Sequence, residues 1–239
     1  MTRAGAMILA AGRGERMRPL TDRTPKPLLE VQGRPLMQWP LVALARGGFT
    51  EVVVNTAWLG ERIEQRFGER HEASVISYSH EGRDFGGALE TAGGIVRALP
   101  ALGEVFWVVA GDVFAPDFVF RQEAVERFAA GGQLAHLWLV ANPPHNPGGD
   151  FGLSADGLAL SEAAVKHTFS TIGLYRAALF SAPWCAIPPG NPEGTKAALA
   201  PVLRAAMRAG RVSAELYGGR WTDVGTPERL AALNAQPGA

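Results

Sequence analysis

The chain has 239 residues, 47% of them hydrophobic and 19% charged, with Lys plus Arg equal to Asp plus Glu at 23 each. That composition suits a folded core and excludes a disordered chain, while zero net charge argues against wholesale attraction to nucleic acid or an anionic membrane. No apolar run reaches the roughly 18 residues of a membrane span, and the opening residues lack the apolar stretch and cleavage site of a secretory signal. Cys185, the single cysteine, leaves no partner for an internal disulfide, excludes a cysteine-rich zinc site and fits a reducing cytoplasm.

In chain order, AMILAA (6–11) reads as a first buried strand. The stretch after Arg34 is helix-like but contains Pro40, which predicts a kink or a late start, because proline removes a donor and crowds the preceding turn. EVVVN (51–55), SVISYS (74–79), VFWVVA (105–110) and LAHLWLV (134–140) read as further strands. WLGERIEQRFG (58–68) and TAGGIVRAL (91–99) carry the spacing of amphipathic helices. After about residue 141 the pattern changes. NPPHNPGGD (142–150) is a turn-rich loop, and GLSADGLALSE (152–162) predicts a hairpin around Asp156-Gly157. STIGLYR (170–176) is a strand, and GTKAALAPVLRAAMRAG (194–210) a helix with a kink at Pro201. SAELYGG (213–219), RWTDV (220–224) and TPERLAALNA (226–235) read as strand, strand and helix. Strands alternating with helices predict an α/β fold: a Rossmann-like, mainly parallel sheet flanked by helices, with a small β subregion late in the chain. No internal repeat or long linker divides it, so residues 1–239 read as one domain.

Chemistry concentrates after the first strand. Between Gly12 and Lys26, Arg13, Arg16, Arg18, Arg23 and Lys26 stand against Glu15 and Asp22, a local charge of +3. Open α/β sheets bind ligands at the carboxyl ends of their strands, and Gly12 and Gly14 would let backbone amides approach a phosphate. Alone, this loop reads equally well as a tight turn with solvated arginines. Met17 stands where a dinucleotide fingerprint needs its third glycine, and no P-loop GK[ST] follows. TPKPL (24–28) holds Lys26 between two prolines, which predicts an extended, stiff mount for a point charge. Farther on, VVAGDVF (108–114) and WTDVGT (221–226) each place an aspartate, Asp112 and Asp223, at a strand end. Either could be a simple turn; together they match the one or two carboxylates by which proteins hold magnesium against phosphate.

LAAGRGERMRPLT followed by TPKPL resembles the signature of the sugar-phosphate nucleotidyltransferases, whose pattern runs LxxGxGxRxxPxT and then PKP. The resemblance spans residues 6 to about 232. It implies that Arg16 and Lys26 are catalytic, holding the triphosphate and bridging the attacked phosphate, while Gly12, Gly14 and Glu15 lie against the nucleotide. LETAGGI (89–95) resembles the family's nucleoside-side segment, which puts Glu90, Thr91 and Gly93 beside the base and ribose; Glu90 replaces a commoner glycine. By local pattern alone Thr91 also reads as a helix N-cap. Asp112 and Asp223 match the family's metal-holding aspartates, for Mg2+. The family's usual asparagine is replaced by Ala110, and EGRDFGGA (81–88) looks like an insertion.

NPPHNPGGDFGL, TFSTIGLYR and WTDVGTPERL resemble the branch acting on N-acetylmuramate α-1-phosphate with UTP, in cell-wall recycling. That branch would turn Asp150, Glu162 and Thr171 to the sugar, make the late β subregion its sugar side, and yield pyrophosphate. Partners would be UTP, or another nucleoside triphosphate, and a sugar 1-phosphate, without nucleic acid or membrane; oligomeric state is not legible. Lys166 and Arg220 are candidates to meet a lactyl carboxylate. Of the five histidines, which lack metal-ligand spacing, His145 alone falls near the sugar residues, and Trp39, Trp58, Trp107 and Trp138 read as core. Guanylyl or thymidylyl transfer to mannose, heptose or glucose 1-phosphate stays open, as does a non-catalytic nucleotide-sugar sensor, although a sensor would be expected to lose the lysine or an aspartate. The missing third glycine argues against a nicotinamide oxidoreductase, and the lack of a hexapeptide-repeat tail against a bifunctional acetyltransferase.

Overall fold

A computed structural model of the chain describes residues 4–236. Its main sheet has eight strands: β1 (Ala4–Leu9), β2 (Glu51–Thr56), β3 (Arg70–His71), β4 (Ser74–His80), β5 (Leu102–Ala110), β6 (Ala135–Val140), β7 (Thr168–Arg176) and β8 (Val212–Leu216). Their order across the sheet is β8-β6-β7-β5-β1-β2-β4-β3, and only β3 and β7 run against the others. The helices are α1 (Gln38–Arg46), α2 (Gly60–Phe67), α3 (Glu81–Phe85), α4 (Glu90–Ala98), α5 (Gln122–Ala130), α6 (Leu199–Arg208) and α7 (Pro227–Asn234). The mainly parallel Rossmann-like sheet expected from the sequence is therefore present.

Alternation along the central strands explains the layering, since neighbouring side chains leave a strand on opposite faces. Met7, Val53 and Val108 enter one core with Ile95 and Val96 of α4 and Leu203 of α6. Ala6, Ile8, Val52, Val54, Trp107 and Val109 enter the other, with Leu41 of α1 and Ile63 of α2. Both faces are covered, which is why these strands read as unbroken apolar runs. A third, smaller cluster joins Met17, Leu29 and Leu36 to Phe114, Val224 and Leu233, tying the loop after β1 to the end of the chain.

The boundaries differ from the sequence reading in instructive places. β1 ends at Leu9, so Ala10 and Ala11 already belong to the loop that follows it. Pro40 is the third residue of α1 and Pro201 the third of α6. Neither kinks a helix: a first-turn amide has no intrahelical acceptor to lose, so each helix starts just before its proline. For α6 this leaves 194–198 as a loop. Trp58 and Leu59 precede α2. Lys26–Leu28 forms one 3-10 turn after an extended Pro25, so the lysine's mount is not extended as expected. The hairpin around Asp156-Gly157 pairs Gly152–Leu153 with Ala159–Leu160, and Thr222–Asp223 pairs antiparallel with Val113–Phe114.

Candidate active site

The strand order reverses direction of growth between β1 and β5, and the crevice outside their carboxyl ends is where such sheets take ligands. Leu9 is opposite Ala110 there, and the two loops that leave this point carry Gly12–Lys26 and Asp112. The first loop is fixed from several sides. Asn55, at the end of β2, accepts from the Ala10 amide at 2.8 Å. Thr21, fully buried, donates to the Gly14 carbonyl at 2.8 Å. Arg13 lies 3.7 Å over the Trp58 ring and donates to the Thr21 carbonyl at 3.0 Å and to Asp22 at 3.1 Å. The Arg13 and Arg18 guanidiniums hold the Asp22 carboxyl below its ordinary range. Two of the loop's arginines are thus structural.

Gly14 has φ 66, and a Cβ there would stand 3.0 Å from Thr21 Cγ2 and 3.2 Å from Lys26 Cβ. The missing side chain is what lets the Lys26 stem pack beneath the loop, leaving that side chain only 12% exposed. Its Nζ meets Asp112 Oδ2 in an ion pair. Packing, more than the flanking prolines, makes this lysine stiff.

These groups open on a cavity of about 610 Å³. Gly12, Lys26, Asp112, Glu90 and Thr91 line one part, and Val108, Phe151, Phe169, Leu199 and Leu203 make an apolar part. Thr171 also lines it. Its φ of 61 falls where the β7–β6 register shifts between Phe169 and Gly173, and such an irregularity re-aims a side chain out of the ladder. Glu90 has φ 60, the left-handed region that favours glycine, which accounts for the commoner residue it replaces. Thr91 is the second residue of α4 and not its N-cap; the cap position is Leu89.

Asp223 is reached from the far end of the chain. It stands opposite Val113, and the Val224 amide donates to the Asp112 carbonyl at 3.0 Å, so both aspartates share one short ladder. Asp223 Oδ2 accepts from Arg229 Nη1 at 2.6 Å. Its Oδ1 is buried without a hydrogen bond, although His145 Nε2 is 2.8 Å away. A carboxylate oxygen without a hydrogen bond, on a segment whose backbone is tied to that of Asp112, suits a hard divalent cation, although Asp223 itself is outside the cavity lining. The residues present therefore fit such an ion.

Other expected residues stand elsewhere. Glu15 and Arg16 sit on the exposed 3-10 turn Glu15–Met17, outside the cavity lining, and neither side chain makes a hydrogen bond or ion pair among the described residues. Gly93 packs against the 195–197 segment, with its amide on the Ala197 carbonyl at 3.1 Å. Asp150 accepts from the Phe169 amide at 2.8 Å, fastening its loop to β7. Glu162 is exposed and pairs with Lys166 at 3.1 Å, while Arg220 is forked onto Asp117 at 2.7 Å. Both candidates for a lactyl carboxylate are thus engaged.

Sequence reasoning missed Glu81, set within the apparent insertion. It is 1% exposed, lines the cavity, and accepts from Asn55 Nδ2 and the Leu89 amide, each at 2.7 Å. Burial raises its pKa against those bonds and the Arg97 charge. Gly94 makes room for it, since a Cβ there would be 2.5 Å from Glu81 Oε1. The signal lay in Gly94, whose missing side chain leaves the space that the carboxylate occupies.

The chain is 49% identical to an N-acetylmuramate alpha-1-phosphate uridylyltransferase of Neisseria meningitidis serogroup B, over 98% of both chains. It is 31% identical to a protein of that name from Caulobacter vibrioides, over 97% of this chain and 96% of the other. A structure described as a glucose-1-phosphate thymidylyltransferase from Bacillus anthracis in complex with a sucrose superposes with a TM-score of 0.78, covering 97% of this chain and 94% of that one at 21% identity, a likeness of fold. Residues 5–167 match the nucleotidyl transferase family. With residues 5–167 matching that family and a relative 49% identical over 98% of this chain, the chain belongs to the nucleotidyl transferase family.

Proposed function

We propose that the chain transfers uridylyl from UTP to N-acetylmuramate α-1-phosphate, releasing pyrophosphate, in the cytoplasm and in the service of peptidoglycan recycling. The observation that carries the chemistry is the Lys26–Asp112 pair at the mouth of a cavity outside the ends of β1 and β5. Full-length likeness to two uridylyltransferases supports the choice of base and sugar. The apolar lining of Phe151, Phe169, Leu199 and Leu203 suits the methyl groups of an N-acetyl and a lactyl substituent.

The reaction is an in-line displacement in which a sugar-phosphate oxygen forms a bond to the α-phosphorus while the bond to pyrophosphate breaks. That oxygen is already ionised, so no general base is required. The difficulty is electrostatic: at an effective dielectric near 20, one like-charge contact at about 4 Å costs roughly 4 kcal/mol. Lys26 would leave Asp112 for the attacked phosphate, Gly12 would admit the phosphates against bare backbone, and Arg16 would fold in from solvent onto the triphosphate. Asp112 and Asp223 would hold Mg2+, which supplies charge neutralisation and alignment for the phosphates. Glu90 and Thr91 would border the nucleoside and Thr171 the sugar.

Pyrophosphate release across a grid of nucleoside triphosphates and sugar 1-phosphates tests this reading. UTP with N-acetylmuramate α-1-phosphate should exceed every other pair and require a divalent cation. Equal or faster turnover with GTP or dTTP, or with glucose or mannose 1-phosphate, would overturn the choice of substrates, and no turnover with any pair would favour a sensor.

A further inference from the structure

We infer that Arg229 is a positioning residue, which holds one oxygen of Asp223 so that the other faces the cation; the inference rests on the proposed role of Asp223 in holding that ion. The geometry is specific. Arg229 Nη1 reaches Asp223 Oδ2 at 2.6 Å and the Asp223 carbonyl at 3.0 Å, gripping the residue by side chain and backbone together. The same nitrogen is 3.2 Å from His145 Nε2, which links the grip to the loop preceding Asp150. With Oδ2 engaged, Oδ1 is the oxygen left buried and without a hydrogen bond, its one close polar neighbour among the described residues being His145 Nε2 at 2.8 Å.

Three local features serve this grip. The N-cap Thr226 starts α7 and receives the Arg229 amide at 3.4 Å, so the arginine leaves the first turn of the helix toward the aspartate six residues earlier. Gly225 lies between them: a Cβ there would stand 2.9 Å from Arg229 Nη1 and 3.1 Å from Asp223 Oδ2. The Arg229 side chain is 20% exposed and Asp223 26%, so the pair is well shielded from solvent and fixes an orientation a surface pair would not. A carboxylate free to rotate would present either oxygen; one held at Oδ2 presents Oδ1 alone.

Hydrogen-bonded partners of metal ligands typically change affinity by about 10–100-fold when removed. The test uses the full chain with a non-hydrolysable UTP analogue and follows Mn2+ binding by electron paramagnetic resonance, beside Mg2+ activation of pyrophosphate release. Arg229→Gln should weaken Mn2+ binding about tenfold and raise the Mg2+ needed for half-maximal rate in parallel, with the rate at saturating Mg2+ largely kept. Arg229→Lys, which keeps one charged donor, should recover part of the loss. Gly225→Ala, which displaces the arginine without removing it, should weaken Mn2+ binding in the same direction and serves if Arg229→Gln does not fold. Mn2+ affinity that is unchanged or tighter in folded Arg229→Gln or Gly225→Ala would overturn the inference, the arginine then being a bystander or a competitor of the cation. Asp223→Asn separates the two levels: if it too binds Mn2+ like wild type, the metal assignment itself fails, whereas if it alone loses binding, only the role of Arg229 is refuted.

Discussion

Replacing Gly14 by alanine perturbs backbone and lysine together, in proportions the structure fixes. A φ of 66 costs an L-residue about 1–2 kcal/mol, and the lower entropy of alanine in the unfolded chain returns up to roughly 1 kcal/mol. A net loss of about 1 kcal/mol, or about 2–4 °C in Tm for a chain of this size, is expected. The new Cβ would also meet Thr21 Cγ2 at 3.0 Å and Lys26 Cβ at 3.2 Å, so something must give by a few tenths of an ångström. Thr21 is fully buried and bonded to the Gly14 carbonyl, so the Lys26 stem yields. Since misplacement by about 1 Å can cost on the order of 100-fold, turnover should fall about five- to tenfold. Gly12→Ala provides the contrast. Its Cβ would meet nothing within 4 Å, its φ is not left-handed, and it lines the cavity, so Tm should hold while KM for the nucleotide rises. Thermal unfolding and pyrophosphate-release kinetics on both variants decide the matter. A Gly14→Ala enzyme with lowered Tm but wild-type kcat would refute the claim that this glycine positions the lysine.

Glu90→Gly relieves a left-handed φ of 60 and should stabilise the fold by about 1 kcal/mol, checked by thermal unfolding; an unchanged or lower Tm counts against strain there. Arg13→Lys loses the planar stack on Trp58 and should cost about 0.5–2 kcal/mol, with faster amide exchange across 12–26; unaltered exchange would mean the stack does not hold the loop. Glu81 gives a pH signature. Its folded pKa is raised above the ordinary 4.5, so the folded state binds that proton more tightly than the unfolded chain does. Its contribution to stability therefore falls as pH rises from 4.5 through the folded pKa. The stability of wild type relative to Glu81→Gln should decline across that window, and a flat difference would show that the carboxyl does not titrate as burial dictates.

How far the sequence disclosed the molecule depends on the range of the interactions involved. The central strands were legible because burial on both faces makes them unbroken runs such as VFWVVA. The glycine loop, Lys26 and both aspartates were legible as candidates because the loop and the aspartates stand at strand ends and the lysine between two prolines. The late start at Pro40 was legible, but the kink expected at Pro201 was not found, since proline forbids a helix interior yet tolerates a first turn, and the sequence alone does not say which turn it occupies. The engagement of Asp150, Lys166 and Arg220 with Phe169, Glu162 and Asp117 was invisible for a different reason. Two of those three pairings span 19 and 103 residues, and only the folded chain decides whether a polar side chain serves a ligand or a neighbour. Glu81 was hidden by its setting, a polar residue in an apparent insertion that folds inward onto Asn55 and a helix start.

The short ladder between 113–114 and 222–223 sets a timetable for biosynthesis. A ribosome finishes all eight main strands before it delivers Asp223, and Asn234 then returns to the Glu30 carbonyl and the Gln32 amide to fasten α7. A nascent or prematurely terminated chain short of that point holds a sheet, a glycine loop and Lys26, yet only one of the two acids. On the role proposed for Asp223, a nick near residue 220 would spare the eight-stranded sheet while severing the segment that brings the second acid to the first.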